Sequence, residues 1–478
     1  MCAVSRKRRH VACLLFCLLA PAVAANADLP GDIRTALASK SLGNAQVGVE
    51  VVRLNPDPAQ TTVVFASRAN EPMIPASNMK LLTTSAALHA LGGDFRFTTR
   101  LAMRDDQLVI IGDGDPTIGD AEMLRRHGWT TTTLFENWAE LLKSRGITRV
   151  GDVVVDDGVF DEQFIHPTWP PEQIQRRYVA QVAGLNLNAN CLDFFLTTGQ
   201  RGSVVSYRTD PPSAYADIAN TCTFGQRNAI WLSRVAGGNK IVLRGETNAS
   251  NHGEPLSVTI HDPPLYFGTV LAETLKRHGV DVRGRVVRDR NAHKSDGLTL
   301  LAQHETPIDV VLHRANKDSM NLYAEVLLKR LAAAQSASRG GSWGAGAAAV
   351  AAFLKERGVE EQQFSLADGS GLSKSNRVSA HAINAVLIAD FYGPNREMFI
   401  RSLAVGGVDG TLDNRFGGGL KGRVFAKSGY VSNARCLSGF VRTKKDNWYA
   451  FSILFNGSTG PEAKRVHEAI VTAIDAND

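Results

Sequence analysis

The chain has 478 residues, which is long enough for two or three domains. Its formal net charge is +6, but residues 1–27 contribute four basic and no acidic residues, so the rest of the chain carries only +2. This weak surplus excludes the strongly basic surface that is typical of a nucleic-acid-binding protein, and we expect no nucleic-acid partner.

Residues 1–27 are predicted to be a secretory signal peptide. A basic stretch at 6–9 precedes an apolar run at 11–20 that is too short to span a bilayer, and small residues at 22–27 offer cleavage sites. The alternative is an uncleaved anchor helix. The sequence therefore predicts export to the periplasm without a firm membrane anchor.

Three cysteines follow the predicted signal: Cys191, Cys222 and Cys436. An odd number excludes a fully paired disulfide framework. Cys191 and Cys222 could pair in an oxidising compartment, or all three could be buried thiols that pack as small apolar groups. Both interpretations stay open at this point.

The first predicted elements are two strands and a helix. Residues 47–54 and 61–68 have strand-like patterns around a proline-containing turn, and residues 78–91 form a helix that is apolar nearly all round and therefore buried. Ser77 and Lys80 stand at its start, three residues apart and so on one face, where an amine can take a proton from a serine nucleophile. The alternative is a capping serine beside an exposed lysine.

The long middle of the chain is predicted to be one or two inserted, strand-rich domains. Strand-like stretches occur at residues 98–111, 151–159, 203–208, 240–243 and 256–260. An insertion of this size is tolerated where the chain can leave and re-enter a domain at neighbouring points.

Acidic and histidine residues of this chain do not form a metal-binding pattern, and we expect neither a metal nor another cofactor. Residues 112–115 lack the remaining ligands of a calcium loop, and His166, His252 and His304 have no partner at metal-binding spacing. Asp368 and Asp409 lie in glycine-rich segments and are predicted to form turns.

The C-terminal part again combines helices and strands. Ser319 and Asn321 open a predicted helix at 322–331, and Lys427 lies in a strand-like stretch. Two further strands are predicted at 436–442 and 448–455, followed by a terminal helix at 462–474. Strands from both ends of the chain frame helices from its middle, which predicts an α+β fold with an antiparallel sheet beside a helical cluster.

Three short motifs occur in a fixed order, namely Ser77-x-x-Lys80, Ser319-x-Asn321 and Lys427-Ser428-Gly429. This order, and the segment 69–84 around the first motif, resemble the class C low-molecular-mass penicillin-binding proteins, the D-alanyl-D-alanine carboxypeptidase/endopeptidase family. Segments 114–117, 185–190, 368–373 and 407–412 are also similar to recurring segments of that family. The resemblance implies a transpeptidase/β-lactamase-like domain, formed by residues 28–95 and 301–478, with residues 96–300 inserted.

The motifs imply acyl transfer through a serine ester. Ser77 would attack the carbonyl of a D-alanyl peptide, and Lys80 would accept its proton. The resemblance further implies that Ser319 relays a proton to the leaving amine and that Asn321 holds Lys80 and the substrate amide.

The third motif would bind the substrate. The resemblance implies that Lys427 and the Ser428 hydroxyl bind the terminal carboxylate of the substrate, with Gly429 next in the motif. It also implies that the backbone amides of Ser77 and Tyr430 form an oxyanion hole, worth about 3 kcal/mol per donor. The family usually carries threonine where this chain has Ser428, and serine or threonine where it has Tyr430. Both departures bear on substrate preference and rate.

The predicted function is that of a periplasmic serine D-alanyl-D-alanine carboxypeptidase/endopeptidase that acts on peptidoglycan peptides and is acylated by β-lactam antibiotics. The alternatives are a serine β-lactamase and a non-catalytic wall-binding or drug-sensing module. No glutamate in a matching motif can be assigned as the deacylating base of a β-lactamase. The intact set of Ser77, Lys80, Ser319 and Lys427 argues against an inactive module.

Overall fold

The computed structural model describes residues 28–38, 42–125, 127–197, 199–250, 254–335, 340–457 and 461–478. The predicted signal peptide, residues 1–27, and His252 lie outside the described residues, so export stays a prediction. Within the described ranges, no helix is both long and apolar enough to cross a membrane.

The helices are numbered in chain order. The described residues form α1 Leu29–Leu37, α2 Met79–Leu91, α3 Ala121–Arg125, α4 Thr133–Ser144, α5 Pro263–Arg277, α6 Ile308–Asn316, α7 Asn321–Gln335, α8 Trp343–Lys355, α9 Ala380–Tyr392, α10 Arg396–Ser402 and α11 Pro461–Ala476.

The strands are numbered in the same way. They are β1 Gln46–Leu54, β2 Thr62–Ser67, β3 Arg96–Arg104, β4 Gln107–Ile111, β5 Arg149–Val150, β6 Val153–Asp156, β7 Cys191–Thr197, β8 Ser206–Asp210, β9 Asp217–Asn220, β10 Thr223–Phe224, β11 Ala229–Arg234, β12 Lys240–Thr247, β13 Leu256–Thr259, β14 Asp281–Val282, β15 Val286–Arg288, β16 Thr299–Pro307, β17 Phe364–Ser365, β18 Arg377–Val378, β19 Ala404–Val405, β20 Val424–Val431, β21 Ala434–Arg442 and β22 Trp448–Asn456.

Both ends of the chain contribute to one six-stranded sheet. Its order is β19-β20-β21-β22-β1-β2, and every neighbouring pair is antiparallel. β1 and β22 pair along their whole length, from Gln46 opposite Asn456 to Leu54 opposite Trp448. The predicted α+β fold with an antiparallel sheet built from both termini is confirmed.

Helices cover both faces of this sheet. α1 and α11 pack on one face, where Ile33 and Ile470 are buried against strand residues such as Val51 and Phe451. α9 packs on the other face and joins a helical cluster in which α2 contacts α6, α7, α8 and α9. α2 is therefore enclosed on nearly all sides, as its sequence predicts.

The segment 96–300 contains a second core. A sheet of order β15-β6-β4-β3-β16 is covered by α4 and α5, whose Phe135, Trp138 and Phe267 are buried. Three smaller sheets complete this part, namely β10-β12-β11 with β9 on β12, β13-β7-β8, and the two-stranded sheet β14-β5. The boundaries 28–95, 96–300 and 301–478 stay a prediction.

The stretch 98–111 is strand-rich, as predicted, and forms the hairpin β3–β4, in which the chain turns at Asp105, where φ is +53°. Two details of the sequence analysis need correction. The stretch 151–159 contains only the short strand β6. The strand-rich interpretation of this segment also missed α4 and α5, which supply much of its core.

For the cysteines, the sequence left open a Cys191–Cys222 disulfide or three buried thiols. Cys191, Cys222 and Cys436 are free thiols, and all three are buried. The structure thus has no Cys191–Cys222 disulfide among its described residues, and the three side chains act as small apolar groups in their cores.

Candidate active site

Ser77 lies in a tight 3-10 turn, Ala76–Asn78, that leads directly into α2. The preceding residue, Ala76, has a φ of +47°, a left-handed conformation that costs roughly 1–3 kcal/mol for a residue with a side chain. The Asn78 side chain fixes the turn by donating a 2.6 Å hydrogen bond to Ser438 Oγ of β21. The turn holds the Ser77 hydroxyl at the surface end of a buried helix.

Lys80 lies one turn further and is completely buried. Its Nζ atom is 3.1 Å from Ser77 Oγ, 2.7 Å from Asn321 Oδ1 and 2.8 Å from the Ser370 carbonyl oxygen. A protonated lysine has three N–H groups, so these three contacts use all of them. Loss of the proton shared with Ser77 would leave the nitrogen lone pair directed at the serine hydroxyl.

Burial lowers the pKa of Lys80 to about 8, although the negative charges of Glu325 and Asp368 oppose this shift. A lysine at its ordinary pKa is almost never neutral at pH 7. The Lys80 side chain is therefore able to act as a base at a pH where an exposed lysine would not.

Ser319 and Lys427 form a second pair. Ser319 connects α6 to α7 in a left-handed conformation, with a φ of +60°, and Lys427 Nζ donates to its hydroxyl at 2.9 Å. Burial and the nearby charge of Lys80 hold the pKa of Lys427 well below its usual range, while Asp318 opposes the shift. The pairs Ser77–Lys80 and Ser319–Lys427 are therefore coupled electrostatically.

Strand β20 passes beside the Ser77 turn because residue 429 is glycine. A Cβ atom at Gly429 would lie 3.1 Å from the Ser77 amide nitrogen and 2.9 Å from the Pro75 carbonyl oxygen, which leaves no room for a side chain. β19 pairs with β20 only at Phe425 and Ala426, so the edge of β20 from Lys427 onwards is free to pair with an extended peptide.

The two residues at which the chain departs from the family pattern have different surroundings. Ser428 Oγ donates a 2.9 Å hydrogen bond to Thr411 Oγ1. The Tyr430 side chain is 57% exposed, and the guanidinium carbon of Arg435 lies 4.1 Å from its ring centroid. Ser428 thus faces the site together with a second hydroxyl, whereas the Tyr430 ring extends away from the backbone towards solvent.

Glu325 is a residue of this site that the sequence analysis missed. It follows Asn321 by four positions on α7, is fully buried, and accepts hydrogen bonds from the Gly369 and Ser370 amides at 2.9 and 2.8 Å and from Trp343 Nε1 at 2.7 Å. Burial raises the pKa of Glu325 to about 7. Because the Ser370 carbonyl accepts from Lys80, Glu325 holds in place the residue whose carbonyl binds this lysine.

Backbone contacts complete the arrangement around the site. Asn321 Nδ2 donates to the Tyr178 carbonyl oxygen at 2.8 Å, which fixes the amide so that its oxygen faces Lys80. Gly371 adopts a φ of +80°, and a Cβ there would lie only 1.8 Å from the Ala76 carbonyl oxygen. Asp368 accepts hydrogen bonds from the Gly371 and Ser373 amides, which confirms its predicted role in a turn.

The structure brings the predicted site residues together from distant parts of the sequence. Ser77, Lys80 and Asn321 are directly hydrogen bonded, as are Ser319 and Lys427, and Ser428, Gly429 and Tyr430 follow on β20 beside the Ser77 turn. In the parts of the chain that the structure describes, no group of three or more His, Cys, Asp or Glu side chains could hold a metal ion. The arrangement offers a nucleophile, a buried base, a cation and two backbone amides, which are the components of acyl transfer.

Comparison with known proteins yields a consistent set of relatives. The sequence model of the D-Ala-D-Ala carboxypeptidase 3 (S13) family matches residues 29–477. A D-alanyl-D-alanine carboxypeptidase of an Actinomadura species is 30% identical over 472 residues, covering 94% of this chain and 84% of that protein. The D-alanyl-D-alanine carboxypeptidase DacB of Haemophilus influenzae is 26% identical and covers 85% of each chain.

The fold has a close structural counterpart. The crystal structure of penicillin binding protein 4 from Haemophilus influenzae superposes with a TM-score of 0.74 at 22% identity, covering 93% of this chain and 99% of that one. A second structure of that protein, in complex with a β-lactam, superposes with a TM-score of 0.71. These likenesses confirm the transpeptidase/β-lactamase-like fold class.

Proposed function

The chain belongs to the D-Ala-D-Ala carboxypeptidase 3 family and is thus a serine-type D-Ala-D-Ala carboxypeptidase, and we propose that Ser77 performs the reaction through a covalent ester. The observation that supports this most directly is the 3.1 Å contact between Ser77 Oγ and the Nζ atom of a buried lysine whose pKa is lowered to about 8. The substrate in this proposal is the D-alanyl-D-alanine end of a peptidoglycan peptide.

Acylation begins when the neutral Lys80 side chain takes the proton of the Ser77 hydroxyl. The Ser77 oxygen then attacks the penultimate D-alanyl carbonyl carbon. The developing negative charge lies on the carbonyl oxygen, where the Ser77 and Tyr430 amides would donate hydrogen bonds worth about 3 kcal/mol each. The closeness of Gly429 to the Ser77 amide supports this placement of the two donors.

Collapse of this intermediate forms the ester and breaks the peptide C–N bond. The leaving amine needs a proton, and the Ser319 hydroxyl is proposed to transfer one, because it is 2.9 Å from Lys427 Nζ. Lys427 and Ser428 bind the carboxylate of the departing D-alanine. The proton that Lys80 took from Ser77 replaces the one that Ser319 gave to the amine, so Lys80 is neutral again. Water then attacks the ester and loses a proton to Lys80, and Lys80 returns this proton to the Ser77 oxygen as the ester C–O bond breaks.

A β-lactam would follow the same path as far as the ester. Its ring amide carries a carboxylate in a position similar to that of the terminal D-alanine, and the related Haemophilus protein has been crystallised with a β-lactam bound. We therefore propose that β-lactams acylate Ser77. The basic and apolar stretches of residues 1–27 support a periplasmic location, where such peptides occur.

Labelling with a fluorescent penicillin tests the proposal. We expect one adduct, on Ser77, and no adduct in Ser77→Ala, while the control Ser85→Ala, on the same buried helix, keeps wild-type labelling. Release of the label over hours accompanies a peptidase, whereas release within seconds would indicate a β-lactamase. No label on a folded wild-type protein would indicate a binding module and overturn the proposal, as would an adduct mapped to another serine.

A further inference from the structure

An exposed tryptophan lies in a groove of the segment 96–300, apart from the residues of the proposed acylation. Trp231, on the edge strand β11, is 55% exposed. The groove that it borders, the Trp231 groove, has a volume of about 340 Å³ and is also lined by Gln175, Arg176, Ser233, Arg244 and Ser257. A volume of this size lies in the range of small-ligand sites. The acylation chemistry does not account for an exposed indole ring there.

The neighbouring strand holds the indole ring in place. Gly245 of β12 has a φ of +113°, and a Cβ atom at this position would lie 2.9 Å from Cε3 and 3.0 Å from Cζ3 of Trp231. The ring therefore packs on the bare backbone of β12, and its exposed part faces away from this strand. An apolar ring that is already fixed on one side loses little conformational freedom when a ligand packs on the other side.

Hydrogen-bond donors surround the ring. Arg244 is directly opposite Trp231 in the β11–β12 pair, so the two side chains lie on one face of the sheet. Ser233 lies on the same face, two residues further along β11, and Arg176 borders the groove from another segment. Both arginines are exposed, and within the described residues their side chains make no ion pair or hydrogen bond. The groove thus offers cationic donors that the protein itself does not use.

A ring bordered by donors fits a sugar. The C–H groups on one side of a pyranose form an apolar, slightly positive face that packs on the negative face of an indole. The hydroxyl and N-acetyl oxygens of the sugar accept hydrogen bonds, which arginine, serine and glutamine side chains donate. A protein partner fits less well, because Trp231 is the one exposed large apolar side chain among the described residues of the groove, whereas a stable protein interface buries about 800 Å² on each partner.

One short backbone segment joins the groove to the catalytic residues. Arg176 borders the groove, and Tyr178, two residues further on, accepts the 2.8 Å hydrogen bond from Asn321. Asn321 in turn lies 2.7 Å from Lys80 Nζ. The Cα atom of Arg176 is therefore no more than about 18 Å from the Lys80 amine. The four residues that precede the scissile bond of a pentapeptide span up to about 14 Å when extended, so the sugar at the start of that peptide falls near the groove.

An open path connects the same two places. Pro255 and Ser257 line both the Trp231 groove and a neighbouring cavity of about 820 Å³. This cavity extends to Asp318 and Met320, the two neighbours of Ser319. A stem peptide can therefore run from the groove to the catalytic residues without crossing the protein core.

We propose that the Trp231 groove binds the N-acetylated amino sugar that carries the stem peptide of the substrate, with the sugar stacked on the indole and Arg176 and Arg244 donating to its oxygens. The inference rests on the proposed function and deepens it, because it names a part of peptidoglycan that the enzyme recognises besides the D-alanyl-D-alanine end. No bond forms or breaks in the groove. Binding there lowers the KM for a stem peptide that still carries its sugars.

The test compares two substrates of the full-length mature protein, a disaccharide pentapeptide and the same pentapeptide without sugar, by the D-alanine that each releases. We expect the wild type to favour the disaccharide pentapeptide by about tenfold or more in kcat/KM, mainly through KM. Trp231→Ala should lower this preference by about tenfold, and Trp231→Phe, which keeps a ring face, should retain part of it. The matched control is Trp129→Ala, because Trp129 is 54% exposed but lines neither the groove nor the cavity. It should keep the wild-type preference.

Two further measurements test the donors and the stacking separately. Arg244→Met should lower the preference by about three- to tenfold, whereas Arg149→Met, which removes an exposed arginine of β5 outside the groove, should not. Chitotetraose, a neutral tetramer of N-acetylglucosamine, should raise the KM of the disaccharide pentapeptide towards that of the free pentapeptide and leave the latter unchanged. This competition decides the question if Trp231→Ala does not fold, as judged by its melting temperature.

Four outcomes would overturn the inference. They are equal turnover of both substrates by the wild type, an equal loss of both reactions in a folded Trp231→Ala, chitotetraose that changes neither KM, and a wild-type dimer that Trp231→Ala converts to a monomer. The last would make the groove an interface between copies of this chain. In each case normal penicillin labelling of Ser77 would leave the proposed acylation standing, whereas a failure of labelling would contradict the proposed function itself.

Discussion

The rate at which a β-lactam acylates Ser77 should rise with pH and level off above about pH 9, because only neutral Lys80 can accept the serine proton. With a pKa of about 8, roughly 1% of Lys80 side chains are neutral at pH 6, about 10% at pH 7 and about half at pH 8. A lysine at the ordinary value of 10.5 would be neutral in only about 0.03% of molecules at pH 7. We therefore expect the acylation rate to increase about tenfold between pH 6 and pH 7.

The sign of this dependence follows from the groups that face Lys80. Burial favours the neutral form, whereas Glu325 and Asp368 favour the charged form. As the pH rises, Lys80 loses its proton and the rate increases. Lys427 loses its proton as well, which weakens carboxylate binding, so the rate constant must be measured at saturating β-lactam to isolate the base.

Stopped-flow measurement of acylation from pH 5.5 to 9.5 provides the assay. Lys80→Met, which keeps an unbranched side chain but cannot take a proton, should lower the acylation rate by about 10²–10⁴-fold, and its melting temperature serves as the control for folding. A rate at saturation that is flat across this range, or that falls between pH 6 and 8, would show that neutral Lys80 is not the base.

Three further predictions concern other parts of the chain. Glu325→Gln should place amide hydrogens against backbone donors and lower the free energy of unfolding by about 1–3 kcal/mol. It should also shift the pH midpoint of acylation downward, whereas the exposed control Glu361→Gln should change neither quantity. An unchanged midpoint would contradict the role of Glu325. Tyr430→Thr should raise kcat/KM for D-alanyl-D-alanine peptides by about tenfold, through a new hydroxyl contact to the carboxylate, and an unchanged or lower value would make the tyrosine itself a substrate contact. N-terminal sequencing of the periplasmic fraction should find a mature protein that starts near Ala25 or Asp28, and an intact Met1 in the membrane fraction would refute export.

The elements nearest the site could be predicted from the sequence because their local signals are strong. The apolar residues after Ser77 have no polar face, so a helix there has to be buried, and α2 begins at Met79 as expected. β1, β21 and β22 are likewise found within about two residues of their predicted limits. In these segments, local propensity and tertiary burial favour the same structure.

In the middle of the chain, the sequence contains a helix-start signal that did not enter the prediction. Asp262 caps the start of α5, where its side chain accepts from the Leu265 amide, and proline occupies the first turn of the helix. An aspartate cap followed by proline is a recognisable helix start. The prediction for this segment rested on its strand-like runs alone and therefore missed the helix. The Asp105 turn in the hairpin β3–β4 carries a weaker signal, since aspartate occurs in many other settings.

The site itself was only partly predictable, because several of its groups are backbone atoms. Lys80 bonds to the carbonyl of Ser370 and Asn321 bonds to the carbonyl of Tyr178, and any residue type can supply a carbonyl oxygen. Glu325 is a different case. It lies four residues after Asn321, hence on the same face of α7, and this spacing could have assigned it to the site.

Glu325 also explains how two buried lysines can coexist in this site. Burial lowers the pKa of Lys80 and of Lys427, and the charge of Lys80 lowers that of Lys427 further. These effects disfavour the cation that a substrate carboxylate needs. Glu325 and Asp368 beside Lys80, and Asp318 beside Lys427, oppose them. The carboxylate of an arriving substrate then adds negative charge next to Lys427, so binding itself favours one charged lysine and one neutral lysine, which is the protonation state that acylation requires.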